Sequence, residues 1–236
     1  MKKLVFNYLE QCWHHASKDN NDILISLVNT SSKATVLDIG VFRGDLAIDR
    51  FKNIKKPTIY AIDIDQEAIK SAKSLGIKAI NHNVEKELPY KSNFFDIVSA
   101  NQIIEHLTDT DLFIKEIYRV LKPKGYLILS TENLSSWHNL FAIFLGWQAF
   151  SQHISYNKSL GNPLRHPHHD DETDRDFHNK IFTPRGLKEL VEFYDLKLDR
   201  FFGAGYYPFP KNLSKALSRW DPTHSAFIGL KAIKPK

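Results

Sequence analysis

The stretch Val36-Leu37-Asp38-Ile39-Gly40-Val41-Phe42-Arg43-Gly44 decides how this chain folds. The short, largely apolar run Ala34–Ile39 reads as a buried strand. Gly40 closes it, Gly44 follows, and Asp45–Phe51 then reads as a helix. Glycines let the backbone turn sharply and come close to a ligand. The helix behind them presents unpaired N–H groups. A second apolar run, Thr58–Ile62, ends in Asp63, whose carboxylate can accept both hydroxyls of a ribose. Strand, glycine turn, helix, strand and acid make a nucleoside-binding layout, placed in the crevice where an open α/β sheet takes its ligands. A dinucleotide site would carry G-x-G-x-x-G. Here Phe42 stands where a pyrophosphate needs a glycine. A nucleoside without phosphates fits better than NAD.

Working outward, the alternation continues. Asp65–Leu75 reads as a helix, Ile77–Ile80 and Phe94–Ala100 as strands, and Thr110–Leu121 as a helix stopped by Pro123. Tyr126–Thr131 reads as a fifth strand. Apolar strands alternating with helices predict a doubly wound α/β fold, its sheet mostly parallel and covered on both faces. Before it, the first thirty residues read as helix, with one stripe at Leu4, Val5, Tyr8, Leu9 and Cys12 and a second at Ile23, Leu24, Leu27 and Val28. After it, residues 134–180 break the pattern, with an apolar stretch, Leu140–Phe150, and then a polar run rich in His and Asp. Thr183-Pro184 is an N-cap followed by proline at the first helical position. Two closing strands, Leu196–Phe202 and Ala226–Ile233, bring the sheet to seven. The chain is expected to be one domain, 1–236: a helical cap (1–32), a cofactor-binding core (33–133), a lid or acceptor insertion (134–180), and a closing helix with strands (181–236).

Composition narrows the function classes. The 236 residues carry 32 basic and 27 acidic side chains, a net charge of +5. The lysines are scattered, which favours a solvated surface over a nucleic-acid face. Cys12 is the sole cysteine, so neither an intramolecular disulfide nor a multi-cysteine metal site can form. No signal peptide and no apolar run of membrane-spanning length is read, so a cytoplasmic protein without stable membrane insertion is expected.

Six motifs in order resemble the class I S-adenosylmethionine-dependent methyltransferases, particularly the small-molecule, ubiquinone-biosynthesis-like branch, over about residues 33–133. They are Val36–Gly44; Asp63 in Tyr60-Ala61-Ile62-Asp63; Asn83-Val84-Glu85 followed by Leu88-Pro89-Tyr90; Phe95-Asp96-Ile97-Val98; Glu105-His106-Leu107; and Glu116 to Gly125. The resemblance implies a Rossmann-like fold and S-adenosylmethionine as cofactor. It implies that Gly40, Val41 and Gly44 lie against the methionine part, with Asp38 bracing the turn. Asp63 would hold the ribose, Ile64 and Val84 would sandwich adenine near Asn83, and Asn101 would lie by the methionine end. Two departures stand out. Phe42 replaces the middle glycine of the first motif. Some ubiquinone-type relatives also carry E-x-x-E-H beside a divalent ion, whereas Gln102-Ile103-Ile104-Glu105-His106 lacks the first acid, so no metal site is expected.

Methyl transfer from a sulfonium asks mainly for alignment of the acceptor, and a hydroxyl acceptor asks also for a base. His106, after the fourth strand, is the candidate base; the plainer reading is that it caps its helix or lines the pocket. The tetrapeptide Ser99-Ala100-Asn101-Gln102 lacks the signature of amino-directed DNA methyltransferases, and Cys12 is misplaced for attack on cytosine. A small-molecule hydroxyl acceptor is left, with Glu132, Trp137, His138 and His178 on its side of the cleft. The run His166–Glu172 fits no zinc spacing. A catalytically inactive binding or regulatory module is the competing reading, and a homodimer is left open.

Overall fold

The computed structural model describes residues 2–29, 33–42, 44–158, 160–164 and 177–236. Seven strands form one sheet in the order β3-β2-β1-β4-β5-β7-β6. Strands β1 (Thr35–Ile39), β2 (Thr58–Asp63), β3 (Lys78–Asn81), β4 (Phe95–Asn101) and β5 (Leu121–Glu132) run parallel. The closing strands β6 (Lys197–Ala204) and β7 (Phe227–Ile233) are mutually antiparallel, and β7 is antiparallel to β5. This is the doubly wound fold read from the sequence. The order reverses between β1 and β4, the point beyond whose carboxyl ends an open α/β sheet takes its ligands.

The central strands are buried on both faces, as an uninterrupted apolar run requires. Helix α4 (Thr110–Val120) lays Phe113, Ile114, Ile117 and Val120 on one face of the sheet. Its N-cap, Asp109, accepts from the Leu112 N–H at 2.8 Å. Helix α3 (Gln66–Ser74) is capped likewise by Asp65, and α2 (Asp45–Arg50) starts at Gly44. Helix α6 (Pro184–Phe193) begins at the predicted Thr183-Pro184 cap. No helix among the described residues is long and apolar enough to cross a membrane.

Four details depart from expectation. The amino-terminal segment is helical as read, α1 (Lys2–Leu27), but the face it buries differs in its first turns. Its buried face runs Cys12, Ala16, Asp19, Asn20, Leu24 and Leu27, whereas Leu4, Val5 and Tyr8 are exposed. Strand β5 starts at Leu121, directly on the end of α4, and its pairing with β4 is irregular before Tyr126, where Lys124 takes a left-handed φ of +67°. The apolar stretch is helical only over α5 (Trp137–Phe144). Helix α7 (Lys211–Trp220) was not foreseen, because its buried residues are Ser214 and Ser218. The Tyr206 N–H donates to Ser214 Oγ at 2.7 Å, and Ser218 Oγ donates to the Ser214 carbonyl at 2.8 Å. A serine face gives no apolar period to read.

Candidate active site

The glycine turn and the acid after β2 meet as expected. Gly40 has φ +75° and Gly44 φ +85°, in the left-handed region that glycine enters without steric cost. Added carbons would collide with the Ile103 side chain at Gly40 and crowd the Ala72 backbone at Gly44. Phe42 adopts the same kind of conformation, φ +49°, and leaves its ring 62% exposed. Its N–H donates to Asp63 Oδ2 at 3.1 Å, and the Asp65 N–H donates to Oδ1 at 2.9 Å. Two backbone donors thus aim the Asp63 carboxylate, whose other lone pairs can accept ribose hydroxyls. Ile64 is exposed beside it, Asn83 is exposed and caps its own turn by accepting from the Glu85 N–H, and Val84 is buried in the core.

Asp38 and Val41 lie behind this surface. Val41 packs among Ala47, Ala61, Ile69 and Ala72. Asp38 is fully buried and takes a very short hydrogen bond from Arg50 Nη1, which also donates to Ser99 Oγ at 3.0 Å. Burial pushes the Asp38 carboxyl above the usual range, against the pull of the guanidinium. The pair ties β1 and β4 to α2, so Asp38 braces the turn from beneath and is closed to a ligand.

Asn101, at the end of β4, is held by α1. Asn20 Nδ2 donates to Asn101 Oδ1 at 2.8 Å, and Asn101 Nδ2 donates to Asn21 Oδ1 at 3.3 Å. Ser130 Oγ donates in turn to Asn20 Oδ1 at 2.8 Å. On the other side of this junction lies a cavity of about 500 Å³. Helix α1 supplies one wall, including Leu9, Trp13 and Asn20. The end of β4 supplies Gln102, Glu105 and His106, β5 supplies Glu132, and the insertion supplies His138, Phe150, His153 and His178. Of the expected acceptor residues, Glu132, His138 and His178 are brought together with His106. Trp137 is not. It points outward, donating from Nε1 to the Tyr206 hydroxyl at 3.0 Å, with its ring 4.6 Å from that of His224.

Burial sets the electrostatics. Glu105 is fully buried, and desolvation raises its carboxyl to about 8. Its Oε2 accepts from Thr131 Oγ1 at 2.8 Å, while Oε1 has no hydrogen-bond partner. Desolvation lowers the His138 imidazole to about 3, with the Tyr207 ring 4.8 Å away. The Tyr207 hydroxyl is also buried without a partner, and burial raises it well above the ordinary phenol value, so it stays protonated as a donor. His106 and His178 have ring centroids 4.9 Å apart, and His153 lies 5.1 Å from His178. Glu105, Tyr207, His153 and the α1 wall were not foreseen. For α1 the signal was present, since Phe6, Leu9, Trp13, Ser17 and Asn20 follow helical spacing, but a different stripe was read. Nothing in a single sequence links position 106 to 153, 178 or 207. The run His166–Glu172 lies outside the described residues.

Residues 37–129 match a family model described as a methyltransferase domain. A demethylmenaquinone methyltransferase of Lactobacillus johnsonii is 32% identical over 66% of this chain and 65% of its own length. A mitochondrial ubiquinone biosynthesis O-methyltransferase of Rattus norvegicus is 28% identical over 54% of this chain and 32% of its own length. The chain therefore spans less than two thirds of either relative. A solved S-adenosylmethionine-dependent methyltransferase of Mesorhizobium loti superposes with a TM-score of 0.63, covering 90% of this chain and 96% of that one at 11% identity. That likeness is one of fold. With the glycine turn, the aimed acid after β2 and the seven-stranded order in place, residues 37–129 are a methyltransferase domain, carried on the fold of the class I S-adenosylmethionine-dependent methyltransferases.

Proposed function

We propose that this chain transfers the methyl group of S-adenosylmethionine to a small-molecule acceptor, at a hydroxyl oxygen held beside His106. The observation that carries this reading is the junction at Asn101 and Gln102. Asn101 belongs to the expected methionine end of the cofactor crevice, Gln102 and Asn20 line the cavity, and Asn20 donates to Asn101. A methyl group presented there would face an acceptor in the cavity.

Gly40 and Gly44 let the loop approach the methionine part, and Asp63 holds the ribose. The acceptor enters a cavity with aromatic walls and a few polar atoms, a lining suited to a ring-bearing or lipid-like molecule with a hydroxyl. Tyr207 donates a hydrogen bond to it. The oxygen–carbon bond forms as the carbon–sulfur bond breaks, S-adenosylhomocysteine leaves, and the hydroxyl proton passes to His106. His106 Nδ1 faces the Phe177 carbonyl at 3.1 Å, so that nitrogen carries the ring proton and Nε2 is the proton acceptor.

A second reading has support in the name of the Lactobacillus relative. Removing the proton of a ring hydroxyl also makes the adjacent ring carbon nucleophilic, so the same residues serve carbon methylation of a quinol. Calorimetric titration with S-adenosylhomocysteine tests the shared part. Micromolar binding, lost in Asp63→Ala, supports the cofactor site. No binding by folded protein would favour an inactive module of this fold. With methyl-labelled cofactor and a panel of phenols, quinols and hydroxylated lipids, the product separates an O-methyl ether from a C-methyl ring.

A further inference from the structure

Helix α1 is tied to the ends of β4 and β5 by a chain of side-chain hydrogen bonds that runs in one direction. Gln102 Nε2 donates to Ser130 Oγ at 3.2 Å, and Ser130 Oγ donates to Asn20 Oδ1 at 2.8 Å. Asn20 Nδ2 donates to Asn101 Oδ1 at 2.8 Å, and Asn101 Nδ2 donates to Asn21 Oδ1 at 3.3 Å. Ser130 has one proton to give, and Asn20 receives it. Turning over any one amide in the middle of this chain would set two donors or two acceptors face to face. Asn20 stands at its centre, 2% exposed, with both ends of its amide used. Gln102 holds a left-handed φ of +56°, the kind of strain that collects at functional sites.

The place of Asn20 on α1 gives the chain a meaning. Phe6, Leu9, Trp13, Ser17 and Asn20 follow helical spacing and all line the acceptor cavity. Asn20 is the end of this row that meets β4. The other end is held lightly. Leu4 and Val5 are exposed, and the Tyr8 hydroxyl reaches the Pro208 carbonyl at 2.8 Å. A helix end with few buried contacts opens locally more readily than the sheet does. At Asn101 the chain uses one N–H and one carbonyl lone pair. The amide keeps a second of each, which match the carboxylate and the ammonium at the methionine end of the cofactor.

We propose that Asn20 is a positioning residue that carries cofactor occupancy from Asn101 to the α1 wall of the acceptor cavity. The proposal rests on the methyltransferase reading of the crevice. An Asn101 amide held by the cofactor holds Asn20 Nδ2 in turn, and Asn20 holds the row back to Phe6 against the acceptor. The filled crevice thereby sets the wall on which the acceptor aligns. The link is reciprocal, so an acceptor that orders the wall tightens cofactor binding by the same factor. Asn20 lies outside the matched methyltransferase domain at 37–129, so this alignment is supplied by the chain's own amino-terminal helix.

The test is hydrogen–deuterium exchange of the full chain, read by mass spectrometry over residues 4–18, with and without saturating S-adenosylhomocysteine. Wild type is compared with Asn20→Leu, which has nearly the size of asparagine and neither amide atom, and with Tyr8→Phe, which loosens α1 at its other end. Calorimetry reports cofactor binding and thermal melts report folding. In wild type and Tyr8→Phe, S-adenosylhomocysteine is expected to slow exchange in α1 about fivefold or more. Asn20→Leu should still bind S-adenosylhomocysteine, through Asp63 and the glycine turn, and show no slowing. With the best acceptor from the panel its kcat should fall at least about tenfold, because misplacement of the acceptor costs rate. Should Asn20→Leu fail to fold, Asn20→Ala decides. No S-adenosylhomocysteine binding by folded wild type overturns the methyltransferase reading and this proposal with it. Three outcomes overturn this proposal alone: binding that leaves α1 exchange unchanged in wild type, slowing that persists in the folded Asn20 variant, or slowing that is lost in Tyr8→Phe as well.

Discussion

Asp38 and Phe42 lie in one motif and illustrate different physics. Asp38 is a buried acid paired, among the described basic side chains, with Arg50. Removing one partner of such a pair leaves an uncompensated charge in the interior. Arg50→Met is therefore expected to lose about 3–5 kcal/mol of stability, read from urea melts, and Asp38→Asn in the same chain should recover part of it. Phe42 holds a left-handed conformation that costs an ordinary L-residue about 1–2 kcal/mol. Its exposed ring contributes little packing to offset this. Glycine removes the strain but gives the unfolded chain more freedom, worth about 0.4–1 kcal/mol. Phe42→Gly is thus expected to stabilise by up to about 1 kcal/mol, and Phe42→Ala, which keeps the strain, should not stabilise. The motif made both positions visible. It did not tell that Asp38 faces inward, because a strand residue's side is set by which helix covers it.

At the scale of the element, α1 has two jobs along its length. Its later half is anchored by Ala16, Leu24 and Leu27, while its first half overhangs the cavity. That division explains why the stripe beginning at Leu4 misled: the overhanging turns bury little against the sheet, so their apolar residues do not mark a core face. Trp13 is 48% exposed yet lines the cavity. On the proposed reading it serves the acceptor's wall more than the core. Trp13→Ala is expected to leave the unfolding free energy within about 0.5 kcal/mol of wild type and the S-adenosylhomocysteine affinity unchanged. The KM for an accepted substrate should rise about tenfold or more, as loss of a buried aromatic contact implies. Steady-state kinetics with the best acceptor from the panel, beside calorimetry, checks both halves. Helices α3, α4 and α6 were legible because their caps and apolar stripes coincide; α7 was not, because it packs through serines.

At the scale of the whole molecule, the sheet was legible because parallel strands buried on both faces leave uninterrupted apolar runs in the chain. The cavity was not, because its wall comes from α1, the ends of β4 and β5, the insertion and Tyr207, and such convergence leaves no local signature. The same convergence makes the stability of the fold depend on pH. His138 is enclosed by the Phe150 and Tyr207 rings, with centroids 5.6 and 4.8 Å away. Desolvation by this enclosure lowers its folded pKa to about 3, against an ordinary value of 6.5. Above pH 6.5 the ring is neutral in both the folded and unfolded chain, and its burial carries no penalty for lost charge. As the pH falls below 6.5, the unfolded chain takes up a proton that the folded chain refuses. The fold is then destabilised by at most about 1.4 kcal/mol per pH unit, and by less where cavity water reaches the ring. Glutamine at this position stays neutral in both states. The unfolding free energy of wild type is therefore expected to drop more steeply between pH 7 and pH 5 than that of His138→Gln, with the curves parallel above pH 7. Urea melts of the two proteins at half-unit intervals test this. Parallel curves over the whole range would mean that the ring can be protonated in place, with the cavity open enough at His138 to solvate the charge.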